Sequence, residues 1–299
     1  MPLDAVLPAF LIAVVGYVVG KKLNLDKRTL SRVCLYILVP ALTFNSLATS
    51  RVDLGVAWRL ALATVLFSFV QAALYLTLFK MMKWEQATSR AMLLVSVFTN
   101  AGNYGLPICL FAFGQAGMDL AVVFMVTQTV MLATLGTYIA ASTQMNTRVA
   151  LKQVLKMPAV YAAAAGALVK AARIPVPDVA GRPVGLLSQA TVPIFLILLG
   201  VQLIGNGRDH EPWKETGVAV FLRLIAGPLV AWLIGLGMGL TDLALKILVL
   251  EGAMPTPVNS SILAQEFNSK PGAVSRATMV GTLASVLTLS MWIMVLRVL

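Results

Sequence analysis

Charge is what this sequence has least of. Asp, Glu, Lys and Arg make up 12% of 299 residues, against 59% hydrophobic residues and a mean hydropathy of +0.87. A soluble domain carries roughly a quarter charged residues, so too little polar surface exists to cover a water-soluble globule. Histidine occurs once, at His210 in a charged loop, where it reads as solvated surface. The two cysteines, Cys34 and Cys109, both sit in apolar segments and read as small buried hydrophobes, not as a disulfide or a metal pair. With no Ser/His pair, no intramembrane Asp pair and no HExxH, the residues of a membrane hydrolase are missing, and neither a metal nor another cofactor is expected. No GxxxxGK[ST] run offers ATP drive. The start, MPLD, is acidic, and the apolar run from Leu7 to Gly20 lacks a small-residue cleavage site, so no removable signal peptide is expected.

What the chain does have is a succession of apolar stretches, each long enough to cross a bilayer core. They read as spans at 3–20, 31–48, 56–79, 89–113, 118–141, 157–173, 185–205, 215–239, 243–265 and 274–298. The joints are short and polar, as in KKLNLDKR at 21–28. The net charge of +11 is explained by Lys and Arg gathering on one membrane face. No basic stripe with interleaved aromatics points to nucleic acid. Joints after the odd-numbered spans, with adjoining span ends, hold 15 Lys and Arg, against 7 after the even-numbered spans and in the tail. That bias places the odd joints in the cytoplasm and both termini outside.

The two halves, 1–145 and 146–299, resemble each other. Pro8 and Gly16 open span 1, and Pro158 and Gly166 recur at the same spacing in span 6. LVPALTFNSLA from Leu38 is answered by TVPIFLILLGVQL from Thr191, and RLALA from Arg59 by RLIAG from Arg223. Five spans is an odd number, so the second copy enters the membrane from the opposite face. An inverted repeat of this kind is typical of secondary transporters.

Spans 4 and 9 break the helical rules at corresponding places. TNAGNYGLP, 99–107, packs Asn100, Gly102, Asn103, Gly105 and Pro107 into mid-span; EGAMPTPVNSS, 251–261, holds Pro255 and Pro257. Unwound backbone at that depth survives only where protein or a water-filled cavity satisfies it. Crossed at the midplane, two such breaks expose N–H groups that favour an anion and carbonyls that favour a cation. Asn100, Asn103 and Asn259 would add neutral amides able to bond a carboxylate; buried kinks bonding neighbouring helices are the structural alternative. Glu251 lies roughly 12 Å into its span by helical rise, and Arg223 is similarly deep. They pair with each other, or Glu251 titrates as a proton carrier. Asn45 and Gln202, near Pro40 and Pro193, line one cavity or bond across helices. Asp4, Arg59, Lys80 and Lys246 lie near span ends and are expected to snorkel.

These motifs resemble the auxin efflux carrier family, which includes plant PIN proteins and bacterial malonate and malate carriers. NAGNYGLP at 100–107, AMPTPVNSSILAQEF at 253–267, LVPALTFNSLA at 38–48 and TLASVLTLSMW at 282–292 carry the resemblance, which covers all ten spans. It implies an all-α membrane protein of two inverted five-helix repeats, with discontinuous helices 4 and 9 crossing at the substrate site, as in NhaA and the bile-acid symporters. It implies carriage of small organic anions in a plasma membrane, the inner membrane for a bacterial member. Asn100 falls on the asparagine that contacts the substrate carboxylate in plant members, and Pro107 and Pro255 on the crossover prolines. Bacterial members commonly have Ala-Ala-Met-Pro in span 9; Glu251 and Gly252 depart from it, so proton coupling through Glu251 and simple facilitation both stay open, as do sodium coupling and homodimerisation. The short 144–156 joint holds no regulatory loop of the plant kind. A sodium-coupled symporter and a non-transporting sensor are the competing readings.

Overall fold

The computed structural model describes residues 3–50, 52–141, 154–204 and 213–298, with side-chain surroundings given from Val6 onward. His210 and the side chain of Asp4 lie outside that description. Among the described residues the chain is helical throughout, with no strand. In chain order the helices are α1 (Leu3–Leu23), α2 (Lys27–Thr49), α3 (Leu54–Met81), α4 (Gln86–Val97), α5 (101–113), α6 (115–140), α7 (Pro158–Ala171), α8 (Asp178–Gln202), α9 (Trp213–Gly237), α10 (Asp242–Gly252), α11 (Val258–Glu266) and α12 (Pro271–Val298). Seven stretches are long and apolar enough to cross a bilayer. One of them, Gln86–Ala140, has 55 residues and is broken after Val97 and again at Gly114. Gly114, at φ 68° and ψ −164°, occupies backbone space open essentially to glycine alone.

Prolines leave a repeated mark. Pro40, Pro107 and Pro228 each lie two residues beyond a π-turn, at Cys34–Leu38, Ala101–Gly105 and Leu222–Ala226. A proline ring clashes with the carbonyl four residues back and offers no N–H; a wider turn upstream absorbs the misfit without ending the helix.

Two helix groups result. In one, α1 packs along α8, α2 along α7, and α2 also against α8; in the other, α9 packs on α3 and α10, and α3 on α4. Close contacts in the first group depend on missing side chains. A Cβ on Gly16 would overlap the backbone of Ile197, and one on Gly200 the carbonyl of Ala13. A Cβ on Gly166, the sequence counterpart of Gly16, would come within 2.9 Å of the Phe44 carbonyl of α2. Small residues of this kind let membrane helices approach closely.

The joints meet in a fixed pattern. Lys270 pairs with Glu85 at 3.2 Å, and Lys27 donates to the Ile204 carbonyl, tying joints to each other. Lys170 likewise bonds the Ser50 carbonyl at 2.9 Å, the Ser50 hydroxyl at 3.2 Å, and the Val52 carbonyl.

Gly16→Val should therefore strain the α1–α8 contact by about 1–3 kcal/mol, read as a fall in the melting temperature of the detergent-solubilised protein. Gly237→Ala, where no atom lies within 4 Å of the added carbon, should leave it nearly unchanged. Equal effects of the two substitutions would contradict the packing described.

Candidate functional site

The interruptions predicted in the sequence are present, and they touch. α4 ends at Val97, Phe98 is extended at φ −97° and ψ 142°, and the next helical turn begins at Ala101. α10 ends at Gly252 and α11 starts at Val258, with Pro255 and Pro257 between them. The Asn100 N–H donates to the Pro255 carbonyl at 2.7 Å, joining the breaks backbone to backbone.

A helix end leaves four carbonyls without intrahelical partners, and in an apolar surrounding each must find a donor. At α4 all four are satisfied. Leu94 O accepts from the Ser260 hydroxyl at 3.1 Å, and Val95 O from the Thr256 hydroxyl at 2.8 Å. Ser96 O and Val97 O accept from Arg223 Nη1 at 2.8 and 3.0 Å. The same guanidinium donates through Nη2 to Gly252 O, at the end of α10. One buried cation thus closes the negative ends of both half-helices.

Arg223 is 1% exposed and held from several sides. Gln71 Oε1 accepts from it at 3.3 Å, and Gln71 in turn donates to Tyr75, whose hydroxyl donates to Leu222 O. The ring of Phe67 lies 5.7 Å beneath the guanidinium carbon. Glu251 plays no part in this network. Its Oε1 accepts from the Cys109 thiol at 3.5 Å, and Oε2 has no partner. A Cβ on Gly105 would overlap the Glu251 carboxylate, so the hinge glycine is what makes room for it. Of the two sequence alternatives for this pair, mutual pairing is not the arrangement found.

The opposite ends of the breaks differ. Neither Asn100 before α5 nor Pro257 before α11 supplies a side-chain cap. Both uncapped N-termini open on one cavity of about 390 Å³, lined there by Asn100–Asn103 and by Pro257–Asn259. The Thr99 hydroxyl, buried and without a partner, lines it too, as do Gln128 and Thr129. Leu35, Tyr36, Val39, Met125, Val126 and Phe195 form an apolar wall. Lys156 is the one charged residue in this lining among the described residues.

Two further cavities flank it, and α2 lines all three along its length. A vestibule of about 950 Å³ lies at its start, with Lys27, Arg28 and Arg32, and reaches Asn100 and Val258, which also line the central cavity. Asp26, beside these cations, accepts from the Thr29 hydroxyl and from the Arg28 and Thr29 N–H groups, which holds its carboxyl below the usual range. A third cavity, of about 940 Å³, lies at the other end of α2, with Asn45, Asp119 and Ser188.

The sequence-predicted residues therefore separate. Asn100, Gly102, Asn103, Pro257 and Asn259 share the central cavity. Gln202 lines the vestibule and accepts from Asn103 at 3.4 Å, while Asn45 lines the third cavity and donates to Ser188 at 3.4 Å. Asn45 and Gln202 thus line different cavities. Gly105, Pro107, Pro255, Arg223 and Glu251 line none of the three and act on the backbone or on each other's packing. Sequence reasoning missed Thr256, Ser260, Gln71, Tyr75 and Asp119. Gln71 and Tyr75, four apart in an apolar span, were a readable signal for a polar stripe on one helix face.

Known proteins resemble the chain over its whole length. A family model described as "Membrane transport protein" matches residues 2–150 and 142–293. An uncharacterized transporter of Methanothermobacter thermautotrophicus is 27% identical over 302 residues, covering 98% of each chain. One from Methanocaldococcus jannaschii is 22% identical with the same coverage. The uncharacterized transporter YfdV of Escherichia coli is 24% identical over 311 residues, covering 97% of this chain and 96% of its own.

Replacing Arg223 by Met should leave the Ser96, Val97 and Gly252 carbonyls without their donor, at about 1–3 kcal/mol for each unsatisfied buried group. A large drop in thermal stability is expected, with Arg223→Lys recovering part of it. A Met variant as stable as the parent would remove this account of the helix ends.

Proposed function

The chain belongs to the membrane transport protein family, the auxin efflux carriers, and from that premise we propose that it carries small organic anions, mono- or dicarboxylates, by alternating access. The anion binds at the crossing of the two breaks. The observation that carries this reading is an asymmetry: the carbonyl ends of the half-helices are already bonded by protein, whereas the N–H ends open uncapped on the central cavity. Uncapped helix N-termini are anion sites, and two of them converge here. Asn100, Asn103, Asn259 and the unpartnered Thr99 hydroxyl supply neutral donors, and no acidic residue lines the cavity among the described residues.

A cavity of about 390 Å³ falls in the range of small-molecule sites, and its apolar wall suits the hydrocarbon body of a carboxylate. A sodium-coupled symporter fits less well. Such a carrier needs free oxygen ligands at the crossing, and Arg223, Thr256 and Ser260 already occupy the carbonyls of α4.

The proposal includes ten crossings in two inverted repeats, 1–145 and 146–299. Gln86–Ala140 then crosses twice, and α7 and the broken α10–α11 unit complete the set. Three features favour this count: Lys270 meets Glu85, Lys170 meets Ser50 and Val52, and Gly16 and Gly166 seat corresponding helices on each other's repeat. The Lys/Arg bias puts the vestibule in the cytoplasm and the termini outside. Lys27, Arg28 and Arg32 then draw anions toward Asn100 from that side. Glu251 is the candidate proton carrier for coupled transport.

Asn100→Ala should weaken binding of a labelled carboxylate panel by about tenfold, the value of roughly one charge-assisted hydrogen bond, in scintillation proximity assays on purified protein. Undiminished binding moves the site away from the crossing. Glu251→Gln should abolish the response of uptake into proteoliposomes to pH on the vestibule face; a surviving response on that face removes Glu251 from coupling.

A further inference from the structure

The third cavity holds a carboxyl group that the reading above does not use. Asp119, in α6, is 7% exposed and lines this cavity of about 940 Å³. Its hydrogen-bond donor is neutral: Gln115 Nε2, one helical turn earlier, reaches Oδ1 at 2.9 Å. The Ser46 hydroxyl of α2, 2% exposed, lies beside the carboxyl and is likewise neutral. Asn45, Thr49 and Ser50, with Ser188 and Gln189 of α8, add polar lining without charge.

Among the described residues, Lys170 of α7 is the charged group close enough to act on Asp119. Its ammonium has three donors, and three oxygens of Ser50 and Val52 accept from it. It biases the carboxylate from a distance without forming an ion pair with it.

We propose that Asp119 is a proton-binding carboxyl, reached by water from the face opposite the basic vestibule, and that its protonation permits this cavity to close. The donor set favours a proton over a metal ion. One carboxylate with amides and hydroxyls makes a poor coordination sphere, and no cluster of three His, Cys, Asp or Glu occurs among the described residues. A proton needs only the carboxylate and a water path. The cavity is lined by Asp119 of α6 and by Asn45 of α2 and Ser188 of α8, so its closure would bring three helices together around the carboxyl. Closing it strips water from the carboxyl, and an unpaired carboxylate in such a place is far costlier than a carboxylic acid. A proton taken from hydronium on that face, leaving water behind, lifts the obstacle to closure. Glu251 lines none of the three cavities, so it does not share this route.

The test is infrared titration of the purified protein in lipid, following the carboxylic-acid C=O band as pH falls, alongside uptake of a labelled carboxylate with pH varied on one side at a time. Asp119→Asn should lose one titrating carboxyl component relative to wild type and to Glu251→Gln. It should also lose the response of uptake to pH on the Asp119 face, while the response on the vestibule face remains. A wild-type titration in Asp119→Asn, or an unchanged response on its face, overturns the proposal. Should Asp119→Asn fail to fold, Asp119→Glu carries the test: its carboxyl component must titrate at a displaced midpoint, and an unmoved one overturns the proposal. The infrared signal needs no carried anion, so a lost carboxyl component with no uptake of any carboxylate would count against the transport reading alone.

Discussion

A broken helix in an apolar medium must give every freed carbonyl a donor, and in this protein one guanidinium does so for two helices at once. Arg223 bonds Ser96 O and Val97 O at the end of α4 and Gly252 O at the end of α10. The desolvation of a buried arginine is severe, and here it is offset by carbonyl oxygens that would themselves be unsatisfied without it. Thr256 and Ser260, from the second break, close the remaining carbonyls of the first. The crossing is therefore held by reciprocal service: each interruption supplies donors to the other.

That arrangement fixes the sign of the site. With the carbonyl ends occupied, what remains for a ligand is the N–H ends and a set of amides and hydroxyls, a surface of donors. The polarity follows from which half-helix ends the fold satisfies internally. The charges farther out agree with it, with Lys27, Arg28 and Arg32 in the vestibule and Lys156 beside the central cavity. Asp119 stands apart, in the cavity at the far end of α2.

Legibility in the sequence followed the physics of each residue. The interruptions were readable because Gly102, Gly105, Pro107, Pro255 and Pro257 penalise a helix wherever they stand. Membrane residence was readable from composition alone. The role of Arg223 was not, because a buried arginine on a single span announces only that it needs partners, and carbonyl partners leave no trace in residue identity. Thr256 and Ser260 were hidden for the same reason: they donate to backbone, and a hydroxyl in a Ser- and Thr-containing span is ordinary. Asn45 and Gln202 both lie late in their helices, and α2 and α8 run in opposite directions past the cavities, which sends one to each end. Asp119 sat at the edge of an expected span, where a carboxylate reads as a solvated joint.

Heavy-atom crystallography with an iodinated benzoate tests the donor-lined crossing most directly, since the iodine and the carboxylate can be placed independently in the maps. The account predicts the carboxylate within hydrogen-bonding reach of the Ala101–Asn103 and Val258–Asn259 N–H groups, with iodine against Phe195 and Val39. A carboxylate bound to the Arg223 guanidinium in place of the Ser96, Val97 and Gly252 carbonyls, or density confined to the other two cavities, would contradict it.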